Sequence, residues 1–83
     1  MSDEEFDVLD ELYFVKPFQE LNEECDLPKP VIFETLDKLY SKGWVKVLST
    51  PDEEVMEKIS LEGRHEEFYY LATKLGLLKH NQA

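Results

Sequence analysis

Apolar residues recur along the chain at spacings that predict a run of short elements. Val8, Leu9, Leu12 and Val15 follow helical spacing, with Phe6 and Tyr13 alongside. Ser2-Asp3-Glu4-Glu5 precedes them as a capping box, Ser followed three residues later by Glu. A first helix is predicted over about residues 3–15. Pro17 interrupts it and suits the first turn of a second helix, 17–25, in which Phe18, Leu21 and Cys25 share a face. Lys29-Pro30 opens a third helix, 29–42, with Ile32, Leu36 and Leu39 as its apolar stripe. Gly43 fits the left-handed position that ends it. Strand formers at 44–49 and 55–59 flank the turn cluster Thr50-Pro51-Asp52-Glu53-Glu54, which predicts a hairpin over 44–59. Leu61, His65, Phe68, Ala72 and Leu75 predict a C-terminal helix over 61–75, capped by Ser60 and closed by Gly76.

Eighty-three residues make one domain. A chain this short buries only about 60–65% of its unfolded surface, so a large enzyme cavity would be costly. With 42% hydrophobic residues, it can fold without staples. Its single cysteine, Cys25, excludes an intramolecular disulfide and a cysteine-based zinc site. No apolar run approaches a membrane span, and the acidic N-terminus does not read as a signal or transit peptide. A cytoplasmic protein is expected.

Charge changes the picture. Nineteen Asp and Glu against nine Lys and Arg give −10 at pH 7. Such a chain repels nucleic acid and anionic membranes by its overall field. The distribution is uneven. Residues 1–26 carry ten acids and one base, whereas 27–50 carry four lysines and two acids. The middle third alone could approach a polyanion.

The order helix, short helix, helix, hairpin, helix resembles a winged helix-turn-helix domain: mainly α with a small β-hairpin wing. Phe18, Leu21, Leu27, Ile32, Leu36, Leu39, Gly43 and Val45 resemble that family's core pattern. Lys42-Gly43-Trp44-Val45 is similar to its junction after the third helix. Ile59-Ser60-Leu61-Glu62-Gly63-Arg64 resembles the segment that follows the wing in MarR-like transcriptional regulators. The resemblance covers about residues 6–72. It implies a recognition helix over 29–42 for the major groove and a wing for the phosphate backbone. It also implies a dimer interface from the first and last helices.

Two functions follow. The leading expectation is a transcriptional regulator that binds duplex DNA through the third helix, weakly or with a partner. Its candidate contacts are Lys29, Phe33, Glu34 and Lys38 on that helix, with Lys46 and Lys58 on the hairpin. The resemblance implies arginine at a wing tip, whereas this tip is Asp52-Glu53-Glu54, which repels phosphate. The alternative is an acidic winged-helix interaction module that binds no DNA. Phe33, Asp52, Glu53 and Glu54 would then meet a basic protein partner. The apolar last helix predicts a homodimer through Leu61, Phe68, Tyr69 and Leu75. No enzyme, cofactor or metal site is expected: His80 lies in the tail, His65 and Cys25 lie on apolar stripes, and the three glycines are isolated.

Overall fold

A computed structural model describes residues 1–83. The chain runs α1 (Asp3–Asp10), β1 (Lys16–Pro17), α2 (Phe18–Glu24), α3 (Lys29–Ser41), β2 (Val45–Thr50), β3 (Glu53–Glu54), β4 (Tyr69–Ala72) and α4 (Lys74–Gln82). Four helices and one four-stranded antiparallel sheet make it mixed α/β rather than mainly α. The strand order is β1-β4-β2-β3, so the last strand lies between the first two.

The ends of the helices follow local chemistry. Ser2 Oγ accepts from Glu5 N at 3.1 Å, and Glu5 Oε1 accepts from Ser2 N at 2.9 Å, completing the capping box of α1. The helix stops at Asp10, well before residue 15. Its C-terminal turn holds Asp7 and Asp10 and no base, opposing the helix dipole. Pro17 then restricts Lys16 to extended backbone, and β1 forms where a helix was expected to end. In α3, Pro30 lies in the first turn, where a missing N–H costs nothing. Gly43 leaves the helix at φ +75°, and Trp44 N donates to Leu39 O while Gly43 N donates to Tyr40 O. These two bonds close a Schellman motif.

The predicted hairpin forms only in part. Glu53 and Glu54 pair with β2, and Val55 N donates to Val47 O, but residues 56–59 leave the sheet. The predicted helix over 61–75 does not form. Residues 55–64 run irregularly, His65–Glu67 is one 3-10 turn, and Tyr69–Ala72 is the central strand β4. Gly63 sits at φ +72°, a conformation outside any right-handed helix. Phe68, Tyr69 and Tyr70 follow it, and aromatic side chains lose rotamer freedom in helices and favour pleated surfaces. Paired on both sides, β4 satisfies its backbone through β1 and β2. The last helix therefore starts at Thr73, whose Oγ1 caps it by accepting from Gly76 N at 3.0 Å. Gly76 belongs to the first turn of α4 and does not close a preceding helix.

One core unites these elements. Val8, Leu9 and Leu12 of the first segment meet Ile32, Leu36 and Leu39 of α3. Val45, Val47, Tyr70 and Ala72 supply the inner face of the sheet. Leu61 and Phe68 reach the same core from the irregular segment.

Candidate functional site

The third helix was the expected reading element, and its surroundings decide what it can contact. Its inward stripe, Ile32, Leu36 and Leu39, is fully buried as the spacing predicts. Along a second stripe, residues 55–68 pack on the half-buried Phe33 and Tyr40 and bond to Lys29 and Asp37, which remain exposed. Phe33 stacks on His65 with ring centroids 4.4 Å apart and also meets Phe18 at 5.3 Å. His65, only 6% exposed, donates from Nε2 to Asp37 Oδ1 at 2.7 Å. Tyr40 Oη accepts from Ile59 N at 3.2 Å, while Lys58 Nζ donates to Tyr40 O and stands over the Tyr40 ring. Lys29 pairs with Glu66 at 3.0 Å.

The covering segment is held from beneath as well. Tyr70 Oη donates to the His65 carbonyl at 2.6 Å within the core. Burial, with Asp37 and Glu67 adding to it, pushes this phenol upward, so it stays a neutral donor. Two shallow concavities remain along the seam. The larger, about 430 Å³, lies between Asp37, Tyr40 and Ser41 on the helix and Lys58, Ser60 and Glu62 on the segment. Its lining is mostly polar and open.

Each candidate cation already has a partner in the chain. Lys38 pairs with Glu34 one turn away at 3.3 Å, and Lys46 with Glu54 across the hairpin at 3.4 Å. Lys42, which also lies over Trp44, reaches Glu5 at 2.6 Å. Burial pushes the Glu5 carboxyl up, but the Lys42 ammonium and the two Ser2 bonds outweigh it and hold it below the usual range. On the opposite side, Lys16 binds both Glu11 and Glu24. Burial would lower its pKa, yet the two carboxylates raise it above that of a free lysine.

The remaining candidate residues fall in different places. Phe33 is half-buried against His65 and Phe18 rather than displayed. Asp52, Glu53 and Glu54 are exposed at the hairpin tip. Leu61 and Phe68, expected at a dimer face, are core side chains. Tyr69 is half-buried on the sheet and Leu75 is 43% exposed on α4. The seven-residue spacing that linked Leu61, Phe68 and Leu75 therefore does not define one helix face. Cys25 is buried beside Asp7, Glu11 and Glu24; burial, then those charges, push its thiol up to about 11. A thiol so perturbed is not a nucleophile at neutral pH.

Sequence reasoning missed that His65 and Glu66 reach Phe33, Asp37 and Lys29 on this helix. It also missed the role of β4. The run Phe68-Tyr69-Tyr70-Leu71-Ala72 carried the signal, since five successive apolar residues with three aromatics favour a buried strand. Comparison with protein-family models, with curated proteins and with solved structures finds no match for this chain.

Proposed function

We propose that this chain is an acidic winged-helix-type protein-interaction module whose third helix does not read duplex DNA. The strand order supports the winged-helix reading. A short strand after the first helix joins a hairpin that follows the third, with the last strand between them. The observation that carries the interaction reading is the cover on α3. Residues 55–68 stack on Phe33, bond to Tyr40 and Asp37 and pair with Lys29, though Lys29 and Asp37 stay exposed.

The outward strip left free on α3 holds Pro30, Glu34 and Lys38, with the last two paired to each other. One base offset by one acid supplies no net attraction for phosphate. Half to two-thirds of protein–DNA hydrogen bonds go to phosphate and sugar, and the lysines of this surface, Lys29 and Lys38, are each already paired with a glutamate. The hairpin tip adds three carboxylates where a wing would meet the backbone.

The regulator reading shares the same topology. One observation favours it: the Lys29–Glu66 and Lys38–Glu34 pairs are solvent-exposed, so opening them costs only about 0–1 kcal/mol each. A polyanion would still have to overcome the acids of the covering segment.

Titration against mixed-sequence duplex at about 50 mM salt separates the two, because weak phosphate contacts are visible there. The interaction reading expects no binding. Duplex binding that weakens when Lys29 and Lys38 are both changed to Ala would overturn it and restore α3 as the reading helix.

A further inference from the structure

The sequence places His80 in the tail, 67 residues from the tyrosine it meets in the fold. There α4 lies against α1, and the His80 ring is inserted between them, only 8% exposed. Phe6 stacks on the ring with centroids 4.2 Å apart, and Tyr13 meets it edge-on at 5.3 Å. Phe6 and Asp10 are one turn apart on α1, and Tyr13 lies just beyond the end of that helix.

Both ring nitrogens face groups of this first segment. Nδ1 lies 2.8 Å from Tyr13 Oη. Nε2 is the one buried side-chain polar atom of the structure without a hydrogen bond. Asp10 Oδ1 stands 3.3 Å from it, at ion-pair distance but off the line of a hydrogen bond. A carboxylate only accepts, so the ring proton belongs at Nε2. Nδ1 then carries a lone pair, and Tyr13 Oη donates to it. The imidazole is sealed, whereas Tyr13 is 40% exposed and open to a reactant.

A hydroxyl bonded to an imidazole that a carboxylate orients from the far side is the arrangement that activates a nucleophile. The phenol carries the attacking oxygen, the imidazole receives its proton, and the carboxylate fixes the tautomer. A loose carboxylate–imidazole contact fits an empty site, since such contacts tighten when a reactant is bound. Packing alone does not call for a histidine here. An apolar side chain would fill the place beside Phe6 without burying an unpaired nitrogen, which costs stability.

We infer that Tyr13 is a nucleophilic phenol, with His80 as its general base and Asp10 as the residue that positions His80, and that it takes an acyl group from a neutral activated acyl donor. Tyr13 Oη bonds to the carbonyl carbon, and its proton passes to His80 Nδ1. The bond from that carbon to the leaving group breaks, and the leaving group departs with the proton. The product is an acyl ester on Tyr13, with nothing oxidised or reduced. Charge selects the donor. α1 holds Asp3, Glu4, Asp7 and Asp10 and no base, so an anionic phosphoryl donor is repelled and a neutral carbonyl is not. The site is separate from α3 and does not rest on the interaction reading.

The test treats the full chain with N-acetylimidazole, a neutral acetyl donor, and follows each tyrosine by peptide mass spectrometry. N-acetyl-tyrosinamide in the same solution is the reference, because a phenol held by a merely structural hydrogen bond reacts more slowly than this free one. Tyr13 is expected to react at least about tenfold faster than the reference, a part of the roughly 10²–10⁴-fold that a positioned base contributes. Asp10→Asn and His80→Gln are each expected to remove that advantage, while Tyr69 in the same chain keeps its rate. Asp10→Asn is also expected to move the His80 proton toward Nδ1, read from the imidazole 15N shifts, which a role in packing alone would not do. A dispersed amide spectrum confirms that each variant is folded. Should His80→Gln loosen α4, Asp10→Asn carries the test, since that carboxylate is 58% exposed.

Two results would overturn the proposal. A Tyr13 that reacts no faster than N-acetyl-tyrosinamide would be a structural phenol. A fast Tyr13 whose rate survives Asp10→Asn would owe its reactivity to exposure and not to the carboxylate–imidazole pair.

Discussion

Gly76→Ala sets two physical rules against each other. Within a helix, alanine is favoured over glycine by about 0.8–1 kcal/mol, so propensity alone expects a more stable protein. Geometry expects the opposite. A Cβ at residue 76 would stand 2.0 Å from the Trp44 carbonyl oxygen and 2.9 Å from its carbon. Carbon and oxygen in contact normally sit about 3.3–3.6 Å apart, so α4 would have to retreat by more than about 1 Å. Trp44 cannot yield, because its N–H is bonded to Leu39 O in the α3 cap and its carbonyl accepts from Thr73 N. Retreat would strain the Thr73 N–Trp44 O bond at 2.9 Å and the Thr73 Oγ1–Gly43 O bond at 2.7 Å. Each contributes about 1 kcal/mol. Overpacking adds about 1–3 kcal/mol. Less the propensity gain, the net loss is about 2–4 kcal/mol, or a Tm lower by roughly 10–30 °C for a domain of this size. Urea and thermal unfolding measure it. Gly43→Ala is the control: its Cβ meets nothing within 4 Å, so only the strain of φ +75°, about 1–2 kcal/mol, applies. A Gly76→Ala protein as stable as the wild type would refute the seating of α4 on Trp44.

Other expectations follow from the same contacts. Tyr70→Phe removes the buried donor to the His65 carbonyl and should cost about 1–2 kcal/mol by urea unfolding; hydrogen exchange should also speed up in residues 60–68, and unchanged exchange would deny the phenol its anchoring role. Leu36→Ala, in the core, should cost about 2–5 kcal/mol, while Leu75→Ala should stay within about 0.5 kcal/mol; equal effects would mean that Leu75 is covered. Glu5 has a depressed pKa in the fold, so its contribution is present above the ordinary carboxylate range and lost as pH falls through the folded value. Glu5→Gln should therefore be less stable at pH 7 and lose less on acidification, so that the two stability curves converge at low pH; parallel curves would exclude the Glu5–Lys42 pair as a source of stability.

Local signals in the sequence were legible where one element decides its own ends. The capping box at Ser2, the start of α3 at Lys29-Pro30 and the left-handed exit at Gly43 each rest on a few neighbouring residues. The buried stripe of α3 followed from spacing alone. The last third was misread because Leu61, Phe68 and Leu75 match a helix face by count. Their real positions depend on partners far away in sequence. Tyr69–Ala72 is a strand because β1 and β2 wait on both sides of it, and β1 is two residues long, too short to announce itself. At the candidate site, Lys29, Phe33 and Lys38 were recognisable as outward residues of α3. What packs on Phe33 and pairs with Lys29 was not, since Asp37–His65 spans 28 residues and Lys29–Glu66 spans 37.

Those long separations also change what the charge distribution means. Counted along the chain, residues 27–50 are mildly positive and read as available to a polyanion. In the fold, the acids of the first and last thirds come to the lysines of the middle: Glu5 to Lys42, Glu66 to Lys29, Glu54 to Lys46. Each lysine of the positive segment therefore stands beside a carboxylate, and the charge left over is acidic. An acidic surface alone would attract any base and would lose that attraction at about 1 M salt, where screening acts within roughly 3 Å. Apolar burial is not screened in this way. A basic partner held by these acids alone would therefore be released at about 1 M salt, and binding that survives there would require apolar contact as well as charge.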